Sequence, residues 1–455
     1  MSLALSVLFL DQTAVSVALP TIQRDLNINN TALQWVVNAY LLSTATILLL
    51  GGKLGDMISH RRLFIAGMLI FIIGSFTTAV VGDATWVIAS RALQGIGAGF
   101  MIPSSSVVLF VSFPEHRRGR AMGIQVSLAS IALSVGPIVG AYITTYLSWR
   151  YIFWLNLPIG LLSMGILCYC MTTEKDLQHT TNIDWLGFLL SLMSIVSLIL
   201  ALMQATDWGW LSTHTLGLLA LSFISALLFY YYEQTHSNPL VNFDLFKNKL
   251  FVIGSVLLFL VQTNFVARIF VIIFLQNVLG YSVLSSGLLS LSTTLPVLFA
   301  GPISGYVQDK YGPRLPILIG SLMITLSSFY LASLVWLYNF WIIFPSLVLF
   351  SFGAPLVVTT ARTIALSAVP ADQYGASAGV CTTVRQIGST FSMAVITSVI
   401  LGLDQWYSSQ YLNSIAPDLA SKQSFTFGFS IAMFGVGLVG LTGVWLGIQL
   451  PKQPK

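Results

Sequence analysis

Gly52-Lys53-Leu54-Gly55-Asp56, leading into His60-Arg61-Arg62, is answered roughly half a chain later by Gly305-Tyr306-Val307-Gln308-Asp309-Lys310, leading into Gly312-Pro313-Arg314. Each stretch follows a long apolar segment and forms a short loop with one carboxylate and several cations. Such a repeat implies a duplicated membrane bundle, and a cavity between duplicated halves is how secondary transporters are built.

Composition points the same way. With 56% hydrophobic and 8% charged residues spread over the whole length, the chain would be insoluble as a globular domain. Its 455 residues hold about fourteen helices of roughly 20 residues, each long enough to cross a hydrocarbon core of about 30 Å. This is an all-α membrane protein. The net charge of +5 comes from cations in short loops between apolar spans, not from a basic patch with interleaved aromatics, so no nucleic-acid partner is expected. There is neither a phosphate-cradling Gly-rich loop with Lys-Ser/Thr nor a nucleophile elbow, which leaves ATP-driven and hydrolytic chemistry without machinery and argues against an enzyme. None of His60, His116, His179, His214 and His236 falls mid-span, so no histidine relay, intramembrane metal or cofactor is expected. Cys168, Cys170 and Cys381 define no disulfide framework.

The first apolar run, 3–20, has neither a basic lead nor a cleavage site and reads as a retained span whose native start lies upstream of Met1. Thirteen further spans follow, including 286–307, 340–361 and 376–403. Lys53, Arg61, Arg62, Arg117, Arg118, Arg120, Lys175, Lys247, Lys249, Lys310, Arg314, Lys452 and Lys455 collect on one side, against Arg24, Arg150 and Lys422 on the other. Positive loops stay in the cytoplasm, so both termini are expected there, in a cytoplasmic (inner) membrane. The repeat loops follow spans two and ten, an offset of eight. Spans seven and eight are therefore inserted between equivalent six-helix halves, giving expected domains of 1–172, 173–246 and 247–455.

Asp11 lies about 15 Å into the bilayer on the first span. A carboxylate there is expensive to keep ionised and is a candidate for binding and releasing a proton; a helix–helix hydrogen bond is the structural alternative. Arg91, inside span four before Gly95, Gly97 and Gly99, could favour deprotonation of a nearby carboxylate or form a buried structural pair. Arg268 and Arg385 are further deep cations. Asp56, Arg61, Asp309 and Arg314 read as gating groups, since a carboxylate at a helix end can meet helix N-termini and Arg side chains when that face closes. A solvated loop cluster is the alternative. Gly136-Pro137, with Gly140, allows a kink or pivot in span five, or simply a packing seam. Gln34, Tyr40, Gln94, Arg268, Gln276 and Arg385 are the candidates to line a substrate cavity.

Leu10-Asp11-Gln12-Thr13 through Pro20, Arg91-Ala92-Leu93-Gln94-Gly95-Ile96-Gly97-Ala98-Gly99, Gly136-Pro137-Ile138-Val139-Gly140 and Trp149-Arg150-Tyr151 through Pro158 together resemble the ordered motif set of the major facilitator superfamily. More narrowly, the chain resembles its fourteen-helix drug:proton antiporters; Pro239-Leu240 through Lys247-Asn248 and Arg385-Gln386-Ile387-Gly388 extend the likeness through the second half. The resemblance implies two six-helix bundles plus two inserted helices, and proton-driven export of amphipathic small molecules without a cofactor. It also implies coupling at Asp11 and an antiporter-type role for Gly136-Pro137. Met57, Ser59 and Ala141 depart from the family pattern. Some members of the resembled family hand substrate to a periplasmic adaptor protein, which the sequence leaves open here. Two alternatives share the fold: a nutrient symporter or facilitator, and a transport-dead membrane sensor.

Overall fold

The computed structural model describes residues 2–170, 183–236, 238–411 and 417–451. Met1, Lys175, His179, Lys452, Lys455 and the expected boundary at 172/173 lie outside the described residues. The first half contains α1 (Ser2–Leu26), α2 (Asn30–Met57), α3 (His60–Val80), α4 (Ala84–Ser112), α5 (Arg118–Tyr146) and α6 (Arg150–Cys170). Next come α7 (Trp185–Trp208) and α8 (Thr213–Thr235). The second half contains α9 (Lys249–Asn277), α10 (Val283–Ser290), α11 (Leu295–Tyr311), α12 (Arg314–Leu334), α13 (Phe340–Ser367), α14 (Tyr374–Tyr411) and α15 (Pro417–Ile448). They amount to fourteen segments long and apolar enough to cross a membrane, as the sequence leads one to expect. Short polar residues start several of them by accepting otherwise orphaned backbone N–H groups. Asn29 accepts from Ala32 N at 2.8 Å before α2, and Asp83 accepts from Thr85 N at 2.9 Å before α4.

Among the boundaries that depart from the sequence reading, two change the account. Span ten is not one helix: α10 ends in a 3-10 turn at Leu291–Thr293 before α11 begins. Pro296 has no N–H to continue the ladder and disfavours helical geometry at the residue before it, while Ser290, Ser292 and Thr293 donate to carbonyls three residues back. Backbone freed inside a membrane must find protein partners, and Ser351 of α13 donates to Thr293 O at 2.7 Å. The second departure is that α13 continues to Ser367, beyond the expected end at 361, which brings Arg362 into the helix.

Within each half, neighbouring helices pack closely, chiefly α2 and α3 on α4, α1 on α5, α12 on α13 and α15, and α9 on α13 and α14. The halves meet along two crossings, α5 on α11 and α2 on α14. Glycine makes these possible. A Cβ at Gly123 would strike the Gly301 backbone, one at Gly305 the Gly119 backbone, and one at Gly52 the Gly375 backbone. Small residues at such spacing let helix backbones approach where larger side chains would hold them apart. Both crossings lie at the basic end, which carries the Asp56 and Asp309 loops. α7 and α8 pack on each other, and α7 also lies against α2 and α14.

Candidate functional site

Asp11 reaches the interior of the first half because α1 carries apolar residues around it, leaving its carboxylate with 0% exposure. Such a charge must be paired and hydrogen-bonded to persist. Arg91 of α4, 1% exposed, donates from Nη1 to Asp11 Oδ2 at 2.6 Å. Asn156 of α6 donates to Asp11 Oδ1 at 2.7 Å and to Ser75 Oγ of α3 at 2.8 Å. Gln94, one turn along α4 from Arg91, accepts from the same Nη1 at 2.7 Å and donates to Ser75 Oγ at 2.8 Å. Arg91 is completed by Val36 O, at 3.2 Å from Nε, and by the Tyr40 ring 4.6 Å below the guanidinium. Three further polar side chains, from α3, α4 and α6, thus close on one ion pair. Such a unit is strong in low dielectric, and removing one member leaves the others unsatisfied.

Its counterpart in the second half is built differently. Arg268 of α9 donates from Nη2 to Ser327 Oγ of α12 at 2.7 Å, lies 3.7 Å over the Phe350 ring and leaves Nη1 without a partner. Beside it Ser328 donates to Asn264 Oδ1 at 3.2 Å. No carboxylate pairs with Arg268 among the described residues.

At the basic end each repeat carboxylate caps a helix of the opposite half. Asp56 accepts from Gly375 N at 2.7 Å and Ala376 N at 2.8 Å, at the start of α14, and sits 3.1 Å from His60 Nε2. Asp309 accepts from Gly119 N at 2.9 Å and Arg120 N at 3.0 Å, at the start of α5. Helix N-termini offer unpaired N–H groups and a positive dipole end, so each carboxylate makes charge-assisted bonds across the halves. α1 and α9 pack hardly at all on one another, so the halves are joined at the basic end.

The structure places the sequence-selected residues differently. Asp11, Arg91, Gln94 and Tyr40 are brought together, but Gln94 and Tyr40 are buried in the ion-pair network and do not line a cavity as expected. Arg268 is likewise a correction: at 9% exposure it turns into its own half toward Ser327, because the hydroxyl and the Phe350 face are its available partners. Gln34 is exposed, and Gln276 and Arg385 are partly exposed. Asp56 and Asp309 bridge the halves, whereas Arg61 donates to Cys168 O at 3.2 Å within the first half, and Arg314 makes no ion pair with Asp309 among the described residues. α5 runs unbroken through Pro137, and Gly136 and Gly140 pack against Thr13 and Ala14 of α1, a seam inside one half.

Several participants were missed. Ser75 and Asn156 carry no isolated signal. Gly119/Gly123, Gly301/Gly305 and Gly375/Gly379 do, since each pair is spaced four apart on a helix. Arg362 was lost to the misplaced end of α13; it bridges the halves, donating to Gln125 Oε1 at 3.2 Å and to Ser106 Oγ. At the other end of the bundle, Asp25 accepts from Trp149 Nε1 at 3.0 Å and pairs with Arg150 at 2.5 Å, tying α1 to α6.

Comparison with known proteins agrees with this architecture. The profile of the Major Facilitator Superfamily matches residues 1–393. The chain is 31% identical over 431 residues to the multidrug resistance protein Stp of Mycobacterium tuberculosis, covering 91% of this chain and 78% of that one. It is 30% identical over 393 residues to the tetracenomycin C resistance and export protein of Streptomyces glaucescens, covering 85% and 72%. The proton:xylose symporter XylE superposes with a TM-score of 0.69 over 98% of this chain and 93% of its own, at 14% identity, a likeness of fold alone. On its sequence match, its fourteen spans and its architecture, the chain belongs to the major facilitator superfamily.

Proposed function

We propose that this protein exports amphipathic small molecules across the cytoplasmic (inner) membrane in exchange for protons, by alternating access between two six-helix bundles (1–172 and 247–455) separated by an inserted pair (173–246). The observation that carries the reading is the Asp11–Arg91 pair, sealed by Gln94, Ser75 and Asn156 at the centre of the first half. Protonating Asp11 removes the counter-ion of a guanidinium that cannot reach water, so proton occupancy changes the packing energy of the whole bundle. The basic end is taken as cytoplasmic from the Lys and Arg asymmetry. With Asp56 and Asp309 holding that end closed, the conformation described here would take its proton from the outside. Opening the latches then exposes the cavity to substrate from the cytoplasm or inner leaflet. Each charge moved across the membrane is worth about 2.3 kcal/mol per 100 mV. Relatives named for multidrug resistance and for tetracenomycin C export support the direction and the substrate class.

The test is substrate-induced proton release from purified protein. Asp11→Asn keeps size and one hydrogen bond to Arg91 but cannot titrate. Release should vanish while the protein stays folded and inserted. Undiminished release would make Asp11 a structural clasp and end the coupling assignment. Uptake into inverted vesicles with an acidic lumen separates exchange from symport.

A further inference from the structure

Two guanidinium groups of the second half stand together without an acid. Arg362 lies near the basic end of α13; Arg385 lies eleven residues along α14 from Tyr374. The two are close enough to repel one another, and Cys381, one turn before Arg385 on the same face of α14, is also near Arg362. Both sit deep in the protein yet keep part of their surface open, as a side chain does when it faces an internal cavity between bundles.

What surrounds them is neutral. Arg362 donates to Gln125 of α5 and Ser106 of α4, which supply acceptors but no charge. Arg385 has no hydrogen-bond or ion-pair partner among the described residues. The carboxylates that might neutralise them are committed elsewhere: Asp11 to Arg91 and Asn156, Asp56 to the start of α14 and to His60, Asp309 to the start of α5. Buried cations of this kind are normally paired. Because Arg362 also touches α4 and α5 of the other half, the pair lies where the two bundles converge just inside the latches.

We propose that Arg362 and Arg385 form an anion subsite at the closed end of the central cavity, which takes the carboxylate, sulfonate or phosphate group of an amphiphilic anion. The inference rests on the export reading for its place in a transport cycle, but binding at the subsite needs no proton gradient. Two nitrogen-rich planar groups match such oxyanions by paired, charge-assisted hydrogen bonds. The apolar remainder of the ligand would extend along the cavity. When the latches open, Arg362 parts from Ser106 and Gln125, so the subsite differs between the two conformations and the anion would bind them unequally.

The probe is 1-anilinonaphthalene-8-sulfonate, with N-phenyl-1-naphthylamine as its uncharged counterpart, titrated against purified protein in phosphatidylcholine nanodiscs and corrected with empty discs. In wild type the sulfonate should bind tighter than the amine. In Arg385→Gln the sulfonate-to-amine affinity ratio should fall at least about tenfold, the loss of one charged hydrogen-bonding group, and Arg385→Lys should restore part of it. Arg385 carries no structural hydrogen bond, so its variant keeps the test open if Arg362→Gln fails to fold. Nanodiscs containing phosphatidylglycerol identify the source of the anion. Competition in wild type but not in Arg385→Gln assigns the subsite to a lipid headgroup as well, and no competition assigns it to small amphiphiles. An unchanged ratio in Arg385→Gln overturns the proposal. Because Asp11→Asn reads proton coupling and Arg385→Gln reads charge preference, either assignment can fail alone.

Discussion

Asp309→Asn probes whether the two carboxylate latches act as one device. Asp309 holds two backbone N–H groups of α5, at 2.9 and 3.0 Å, with two oxygens of a single charge. The amide keeps one acceptor and turns an NH2 group toward the second N–H. Charged hydrogen bonds contribute about 1.5–3 kcal/mol each and neutral ones about 1; Asp309 is half-buried, so the lower end applies. The change therefore weakens the closed conformation by about 2 kcal/mol, or roughly 30-fold in the opening equilibrium. Hydrogen exchange reads this directly. Protection at Gly119 and Arg120 should fall, but that alone would follow from losing their acceptor. The informative amides are Gly375 and Ala376, which are held by the untouched Asp56. If the halves part as rigid bodies, protection there falls by a similar factor. Unchanged exchange at Gly375 and Ala376 would refute the common opening and reduce the repeats to independent helix caps.

Other expectations follow from the same geometry. Gly123→Leu drives a side chain into the Gly301 backbone and should cut transport by about tenfold, from roughly 1–3 kcal/mol of overpacking, whereas Gly82→Leu projects into open space and should leave transport intact; equal losses would sink the crossing argument. Arg268→Met removes a buried guanidinium whose Nη1 lacks a partner, so thermal unfolding should show unchanged or improved stability, by up to about 4 kcal/mol. A clearly lower Tm would mean that Arg268 contributes more than its single bond to Ser327. Arg91→Met strands Asp11 and should cost about 3–5 kcal/mol in the same measurement; a neutral effect would show that water reaches the pair.

Span number and the repeat were legible because hydrophobic length and loop charge are local properties. Asp11 and Arg91 were legible one by one, since an ionisable residue deep in an apolar run stands out without knowledge of its neighbours. Their joining was not, because 80 residues separate them and the completing groups, Ser75 and Asn156, are ordinary polar residues in sequence. Arg268 shows the converse limit. Depth was readable, but direction was not: a cation at a given depth can face the cavity or its own bundle, and only the hydroxyl on α12 decides. Arg362 shows how a boundary shift of a few residues hides a charge, since a run of apolar residues ends before the helix does.

The inserted pair clarifies what must move. An apolar cluster runs through Ala45, Leu49 and Leu50 of α2, Ile195 and Ile199 of α7, and Val380 and Cys381 of α14, so α7 packs on both halves beside their crossing. Its other ties are unequal. Trp210, in the turn after α7, donates to Ser398 of α14 at 2.8 Å, and Leu240, Val241 and Leu245, which follow α8, are buried in the same cluster as Phe251 of α9. Toward α2 there is apolar packing, with Lys53 near enough to Glu233 of α8 to attract it, but no hydrogen bond among the described residues. Packed apolar surfaces can slide between discrete arrangements more readily than a hydrogen-bonded joint can stretch. The inserted helices should therefore travel with the second half while α2 slides past α7. A bifunctional maleimide crosslink between cysteines placed at Trp210 and Ser398 should leave transport intact, and one fixing α2 to α7 should arrest it. The opposite pattern would place the insert with the first half and move the sliding surface to α14.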